Sequence, residues 1–326
     1  MFFPSDRFLD QIVVSFFMDS FNKHLLRQEY RKVAQLGDKL AAAEQQIDWE
    51  QFRPILGGLY DNQGPQGGRP NHDPVMMVKL LVLQSWYNLP DEEMERQAVD
   101  RLSFRRFLGY PDKVPDSTTI WLFRERLAES GKDKLVWVEL SRQLDAKGLK
   151  VKKGVAQDAS FIEADPGPSG KPRGEEAKSR RSRDGDWAKR AKGSVFGYKL
   201  HVKTDLDLGL VRSLDVSGAS VHDSRVDLSL AGEVVYRDKG YFGVKPRGWD
   251  ATMLRGVRGH PLGFRDQRRN NRIGSRRRPV ERVFAVLKRG FGCERVLVTC
   301  LGRVRVKLLF ACFCFNLVQL SSLGVS

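Results

Sequence analysis

The chain changes texture at Gly148, and that change sets the fold class. Before it, apolar residues recur at helical spacing behind capping residues; after it, short apolar runs are bounded by Gly, Asp and Ser. Asp73 caps a helix with Pro74 at its first position, and Val75 to Leu83 is apolar on nearly every side, so this helix belongs at the centre of a bundle. Asp91-Glu92-Glu93 puts negative charge into another first turn, and Pro115-Asp116-Ser117-Thr118 caps a third helix ahead of Ile120, Phe123 and Leu127. Trp86, Phe104 and Phe107 suit a bundle core as well as they suit a helix-turn-helix reading DNA. A helix-favouring stretch covers Arg31 to Gln46, and Gly57 to Pro70 reads as a linker. The expected organisation is a helical segment over 1–60, a helical DNA-binding or dimerisation domain over 61–148, and a mixed α/β domain over 149–326.

Within that last part, Val151–Ile162, Phe196–Thr204, Gly209–Val216 and Glu233–Tyr236 are the expected strands. Residues 166–193, rich in Gly, Pro, Arg, Lys and Ser, predict a mobile basic loop; its Trp187 either clamps DNA or decorates a solvated insertion. A second basic stretch, Arg265 to Arg278, leads into a helix opening at Pro279. Val280, Val283, Phe284 and Leu287 form its apolar stripe, with Glu281, Arg282, Lys288 and Arg289 off it. The apolar run Leu308 to Leu320, broken by Asn316, predicts a buried helix and no membrane span. Cys293, Cys300, Cys312 and Cys314 match no common zinc spacing and are expected as reduced core thiols. With no signal-peptide pattern at Met1-Phe2-Phe3-Pro4, the expected compartment is the cytoplasm.

Charge narrows the partner. With 56 Lys and Arg against 40 Asp and Glu, a net +16, the chain suits polyanions, nucleic acid first. Isolated carboxylates in such a background call for explanation. Asp158 lies inside a strand-like run, where an acid is disfavoured unless it meets an open edge, a partner or a metal. Asp238 follows Val234-Val235-Tyr236 and precedes Lys239-Gly240, at a strand end, where ligands often bind. Glu281 and Lys288 stand two turns apart on one helix flank. Structural ion pairs and a solvated helix face remain open as readings. The alternative is a divalent-cation site, because carboxylates from separate elements suit two Mg²⁺ ions doing phosphodiester chemistry. His222-Asp223 is read as a turn or cap, with a supporting role beside the metal as the sharper option.

The chain resembles the DDE insertion-sequence transposases of the IS-five family, in the IS-four-like and InsH-like group. The resemblance rests on Pro115-Asp116-Ser117-Thr118-Thr119 with Phe123-Arg124, on Asp158-Ala159-Ser160 with Glu163-Ala164, and on Gly197-Tyr198-Lys199-Leu200-His201. It continues through Val221-His222-Asp223-Ser224, Asp238-Lys239-Gly240-Tyr241 and Val280-Glu281-Arg282-Val283-Phe284 with Leu287-Lys288. It implies a ribonuclease H-like catalytic domain, a mixed sheet flanked by helices, behind an all-α N-terminal domain. It implies Asp158, Asp238 and Glu281 as catalytic metal ligands for Mg²⁺, with Mn²⁺ able to substitute. Arg277, Lys288, Lys199, Lys239, Arg278 and Arg282 are the implied DNA contacts. Arg277, Glu281 and Lys288 fit the related groups' Tyr-Arg-Glu-Lys pattern, while Gly274 occupies the tyrosine position. The implied partners are double-stranded DNA, as terminal inverted repeats and as target, and a second copy of the chain in a homodimer or larger synaptic complex. The implied setting is the nucleoid of a prokaryotic host. A silent transposase-derived regulator and a metal-dependent nuclease without strand transfer stand as alternatives.

Overall fold

In the computed structural model, which describes residues 23–60, 70–167, 184–190 and 193–324, the first part of the chain is helical. The helices are α1 (23–35), α2 (Lys39–Glu44), α3 (Arg53–Leu56), α4 (Pro74–Tyr87), α5 (Asp91–Asp100), α6 (Leu102–Phe107), α7 (Ser117–Ser130) and α8 (Lys132–Ala146). Their starts follow the capping chemistry. Asp73 accepts a hydrogen bond from the Met76 amide at 2.9 Å, and Asp116 accepts one from Thr119 at 2.7 Å. The stretch Arg31 to Gln46 is two helices instead of one: the chain turns at Gly37, whose φ of 85° favours glycine, and restarts behind Asp38. Helix α4 is buried continuously from Val75 to Val78 and from Leu80 to Leu83, as its all-round apolar sequence requires. Phe104 and Phe107 are fully buried, and Trp86 packs against the same core. Residues 61–69, most of the expected linker, lie outside the described residues.

The strands are β1 (Val155–Ala164), β2 (Asp186–Arg190), β3 (Gly193–Asp205), β4 (Val211–Gly218), β5 (Val234–Arg237), β6 (Trp249–Thr252) and β7 (Arg295–Val296). They form one mixed sheet in the order β2-β3-β1-β5-β6, with β4 also on β3 and β7 also on β1. β3 runs antiparallel to β1, β2 and β4, whereas β1, β5, β6 and β7 pair in parallel. Gly197 sits where β3 crosses closest to β1: a Cβ there would lie 2.1 Å from the Ile162 carbonyl oxygen. The architecture is therefore mixed α/β behind a helical N-terminal region.

Two expectations need correction. The loop expected over 166–193 contains strand β2, because the edge of β3 at Gly193–Gly197 offers unpaired backbone groups, and Trp187 packs edge-on to Phe196 at 5.6 Å. Residues 168–183 and 191–192 lie outside the described residues. The helix expected to open at Pro279 instead runs as α9 (Phe264–Gly290), with Pro279 inside it. Its buried stripe begins earlier, at Ile273 and Arg277, and continues through Val280, Val283, Phe284 and Leu287. Burying that stripe along its whole length offsets a proline penalty of about 3 kcal/mol.

The last helix, α10 (Leu301–Leu323), is long and apolar enough to cross a membrane, yet its residues from Leu308 to Leu317 are buried within the fold. It packs against α2, α4, α7, α8 and β4, so one apolar core runs from Leu40 to Leu320. Asn316, the residue that breaks the apolar run, ties α10 to the sheet. Its side chain accepts from the Val211 amide at 2.8 Å and donates to the Val211 carbonyl at 2.9 Å. It thereby satisfies both backbone groups at the outer edge of β4. Cys293, Cys312 and Cys314 are buried thiols outside any disulfide, as expected, and Cys300, also in no disulfide, is partly exposed.

Candidate functional site

The parallel pairing of β1 with β5 brings the two aspartates together. Val155 pairs with Val235 and Ala156 with Tyr236, and the same register carried forward sets Asp158 beside Asp238. Neighbouring strands lie about 4.8 Å apart, and matched positions in parallel strands share a face, so the two carboxylates flank one another. Asp238 ends β5 and caps the short turn Lys239–Tyr241, accepting from the Gly240 amide at 2.7 Å. The turn is anchored from beneath by Arg237. That side chain is fully buried, donates to Thr252 Oγ1 at 2.9 Å and to the Val244 carbonyl, and stacks over the Tyr241 ring at 5.3 Å.

Helix α9 packs against β1 and β5 and delivers Arg277 to this point. Arg277 is buried, and its Nη2 donates to Asp158 Oδ2 at 2.6 Å. Burial nevertheless pushes the Asp158 carboxyl up to about 6; Arg277 opposes the rise, while Asp238 and Asp223 add to it. The Tyr241 phenol, buried among Asp158, Asp223 and Asp238, is raised well above its ordinary value, by burial first and by those carboxylates second. Asp223 is thus a neighbour of the pair. It is held at 2.8 Å from Lys199 Nζ, which also donates to the Val221 carbonyl at 2.8 Å.

A raised carboxyl pKa fixes a sign. Asp158 binds its proton more tightly folded than unfolded, so its contribution to stability is fully present below the unfolded pKa, near pH 4, and is lost as pH rises through about 6. Asp158→Asn removes that dependence. In metal-free protein the stability difference between Asp158→Asn and the unaltered chain should shift in favour of the variant between pH 5 and pH 7.5 in urea titrations. A difference that stays flat across that interval contradicts the raised value.

The expected site residues are gathered unevenly. Asp158, Asp238 and Arg277 meet, with Lys199 bound to the adjacent Asp223. Glu281 stands one turn beyond Arg277 on α9, exposed to solvent. Lys239, Arg278 and Arg282 are exposed. Lys288 is partly buried near the Cys293 thiol, at the far end of the helix. Among the described residues no group of three or more His, Cys, Asp or Glu side chains stands close enough to hold a metal ion. The Asp158–Asp238 pair on its own fits a hard divalent cation: it is an all-oxygen donor set, and positive charge would offset the burial that raises Asp158 and the lesser repulsion from Asp238. The third carboxylate is available from α9 only if Glu281 turns inward.

Sequence reasoning missed Arg237 and gave Asp223 only a supporting option. A signal for Arg237 was present, since an arginine closing an apolar strand must be paired when buried. The exposed face of α9 also carries Arg265, Arg268, Arg272, Arg276, Arg278 and Arg282, so the helix that reaches the carboxylates is basic outward. Arg276 lies over the Tyr236 ring at 5.4 Å, which ties this face to β5.

Comparison with known families gives two matches. Residues 28–126 match the family described as Transposase domain (DUF772), and residues 149–317, more than half of the chain, match the family described as Transposase DDE domain. No solved structure matches the chain.

Proposed function

The chain belongs to the Transposase DDE domain family, and from that premise we propose that it binds the terminal inverted repeats of an insertion sequence, cleaves DNA there and joins the freed 3′ ends to target DNA. The observation that carries this reading is the side-by-side placement of Asp158, within β1, and Asp238, just past the end of the parallel β5, beside a helix that bears Arg277 and Glu281. Within the family, the motif order favours the IS-five group, and the mixed sheet is read as a ribonuclease H-like core. Residues 149–326 are assigned to catalysis, and residues 61–148 to DNA binding or dimerisation.

In this reading Asp158 and Asp238 hold Mg²⁺ or Mn²⁺, and Glu281 joins them when DNA orders the site. The bound ions supply Lewis-acid stabilisation of the phosphodiester and a lowered pKa for the attacking hydroxyl. The chain's own residues do the positioning. Arg277, which donates to Asp158, would hold a phosphate oxygen through its planar fork if the carboxylate took a cation in its place. Lys239, next to Asp238, and the outward row on α9 track the backbone. Lys199, fixed by Asp223, adds positive charge on the β3 side. Water attacks first and the DNA 3′ hydroxyl second, at one site in a dimer or larger assembly that brings two ends together.

The phosphate contacts are separable from chemistry. Arg278→Ala and Arg282→Ala should each weaken binding of any duplex sequence and lower the slope of log affinity against log salt by about 1. A fluorescence-anisotropy salt titration reads this; slopes unchanged in both variants remove α9 from the DNA face. The function itself is tested in cells with a marked element bounded by the native flanking repeats. Excision and joining by the unaltered protein, and by neither Asp238→Asn nor Glu281→Gln, is the expected result. Repeat binding without product from any of the three favours a silent regulator, and cleavage without joining favours a nuclease.

A further inference from the structure

The motif Pro115 to Arg124 contributes no side chain to the carboxylate site. Its last residue, Arg124, opens onto a cavity of about 450 Å³ between the helical region and the end of the sheet. Arg124 grips Asp91 through two hydrogen bonds of 2.8 Å, and Gln84 bridges the same pair, donating to Asp91 at 2.6 Å and accepting from Arg124 at 3.1 Å. Asp91 is therefore already neutralised. Lys307 enters the cavity from α10 and makes no hydrogen bond or ion pair among the described residues. Burial holds Lys307 below its ordinary range; the like charge of Arg124 adds to the effect, and Cys293 and Asp91 oppose it. The neighbouring Cys293 offers no countercharge, because burial pushes its thiol up to about 12. The cavity thus carries three cations, Arg124, Lys307 and Arg295, against the one carboxylate of Asp91 among its lining residues.

An excess of positive charge beside apolar surface favours an anionic ligand. The remaining wall includes Leu89, Phe291, Leu297 and Phe310, with the Ser85 hydroxyl and the Asn88 amide among them. A lone phosphate would leave that apolar surface uncovered. The volume falls within the range of small-molecule sites, roughly 300–1,000 Å³. The cavity is also separate from the aspartates. Arg295 pairs with Glu163, five residues along β1 from Asp158, which is roughly 17 Å of strand.

We propose that this cavity is a nucleotide site, holding one phosphate on Lys307 with its base against the apolar wall. The choice of a nucleotide over another amphipathic anion rests on the DNA-acting reading above. The ligand comes either from an unstacked residue of a DNA strand or from the free pool.

The test uses calorimetric titration of the full-length protein with dAMP, dTMP, inorganic phosphate and a short single-stranded oligonucleotide. Saturable mononucleotide binding is expected, at least about tenfold weaker in Lys307→Met (about 1.4 kcal/mol) and largely retained in Lys307→Arg. Leu297→Glu, a change at a rim residue that is 80% exposed, should weaken it equally without disturbing the core. Competition by the oligonucleotide assigns the ligand to a DNA strand; binding of mononucleotide alone assigns it to the free pool. Three results overturn the proposal: no saturable binding, binding by Lys307→Met and Leu297→Glu as tight as by the unaltered protein, or inorganic phosphate binding as tightly as the nucleotides. Asp238→Asn separates the two readings. If the cavity stays empty while Asp238→Asn still abolishes cleavage, the cavity inference falls alone; if Asp238→Asn cleaves normally, the DNA-cleaving reading falls too.

Discussion

Asp158→Asn and Asp238→Asn should each lower Mg²⁺-dependent cleavage of repeat-bearing DNA by at least about a thousandfold, since a bound metal contributes several kcal/mol to the transition state and each 1.36 kcal/mol is tenfold. The two aspartates flank one another across β1 and β5, so removing either charge halves the donor set that the parallel register assembles. Folding should survive both changes. Asp238 keeps a side-chain oxygen for the Gly240 amide when replaced by Asn, and Asp158→Asn keeps one for Arg277 while removing a charge that burial disfavours. Glu281→Gln should lose cleavage as well, while Lys288→Gln should fall less, because Lys288 lies toward Cys293 at the other end of the helix. Quenched-flow cleavage of a labelled duplex, with melting temperatures of the same preparations, reads all four. A variant at Asp158 or Asp238 that cleaves within tenfold of the unaltered protein would sink the assignment.

Much of this arrangement is legible in the sequence because it is local. The Asp73 and Asp116 caps, the apolar α4 and the strands around Asp158 and Asp238 depend on neighbours a few residues away. What escaped depends on distant partners. Pro279 reads as a helix start until Ile273 and Arg277 are seen to extend the buried stripe backward against the sheet. Strand β2 reads as loop because its composition is polar; the free edge of β3 supplies its reason to pair. Asp223 reads as a cap, and it is one side of an ion pair with Lys199 that only the β3–β4 pairing brings about. Glu281 is the reverse case: its motif is plain in sequence, yet its side chain is exposed one turn beyond Arg277, which the sequence does not foretell.

Phe313→Ala should destabilise the whole chain by about 3–5 kcal/mol, the range for deleting a large buried ring. Phe313 is fully buried on α10, with Trp49, Phe52 and Phe310 centred 6.0, 6.0 and 6.1 Å away. Trp49 and Phe52 lie near the start of the described chain, and the helix bearing Phe313 also fixes β4 through Asn316 one turn later. A void at this point therefore loosens the helical region and the sheet together. Urea unfolding followed by tryptophan fluorescence, to which Trp49 reports directly, and by far-ultraviolet circular dichroism should give coincident transitions, both shifted to lower urea by the same amount. Phe264→Ala, at a residue 78% exposed, should change stability by less than about 0.5 kcal/mol and serves as the control. If the two probes separate in Phe313→Ala, α10 does not couple the two parts, and the N-terminal helices are an independent unit resting on the sheet. Coincidence means that the surface carrying the Arg124 cavity and the surface carrying the aspartates are held by one core, so a ligand bound at either stabilises the whole fold.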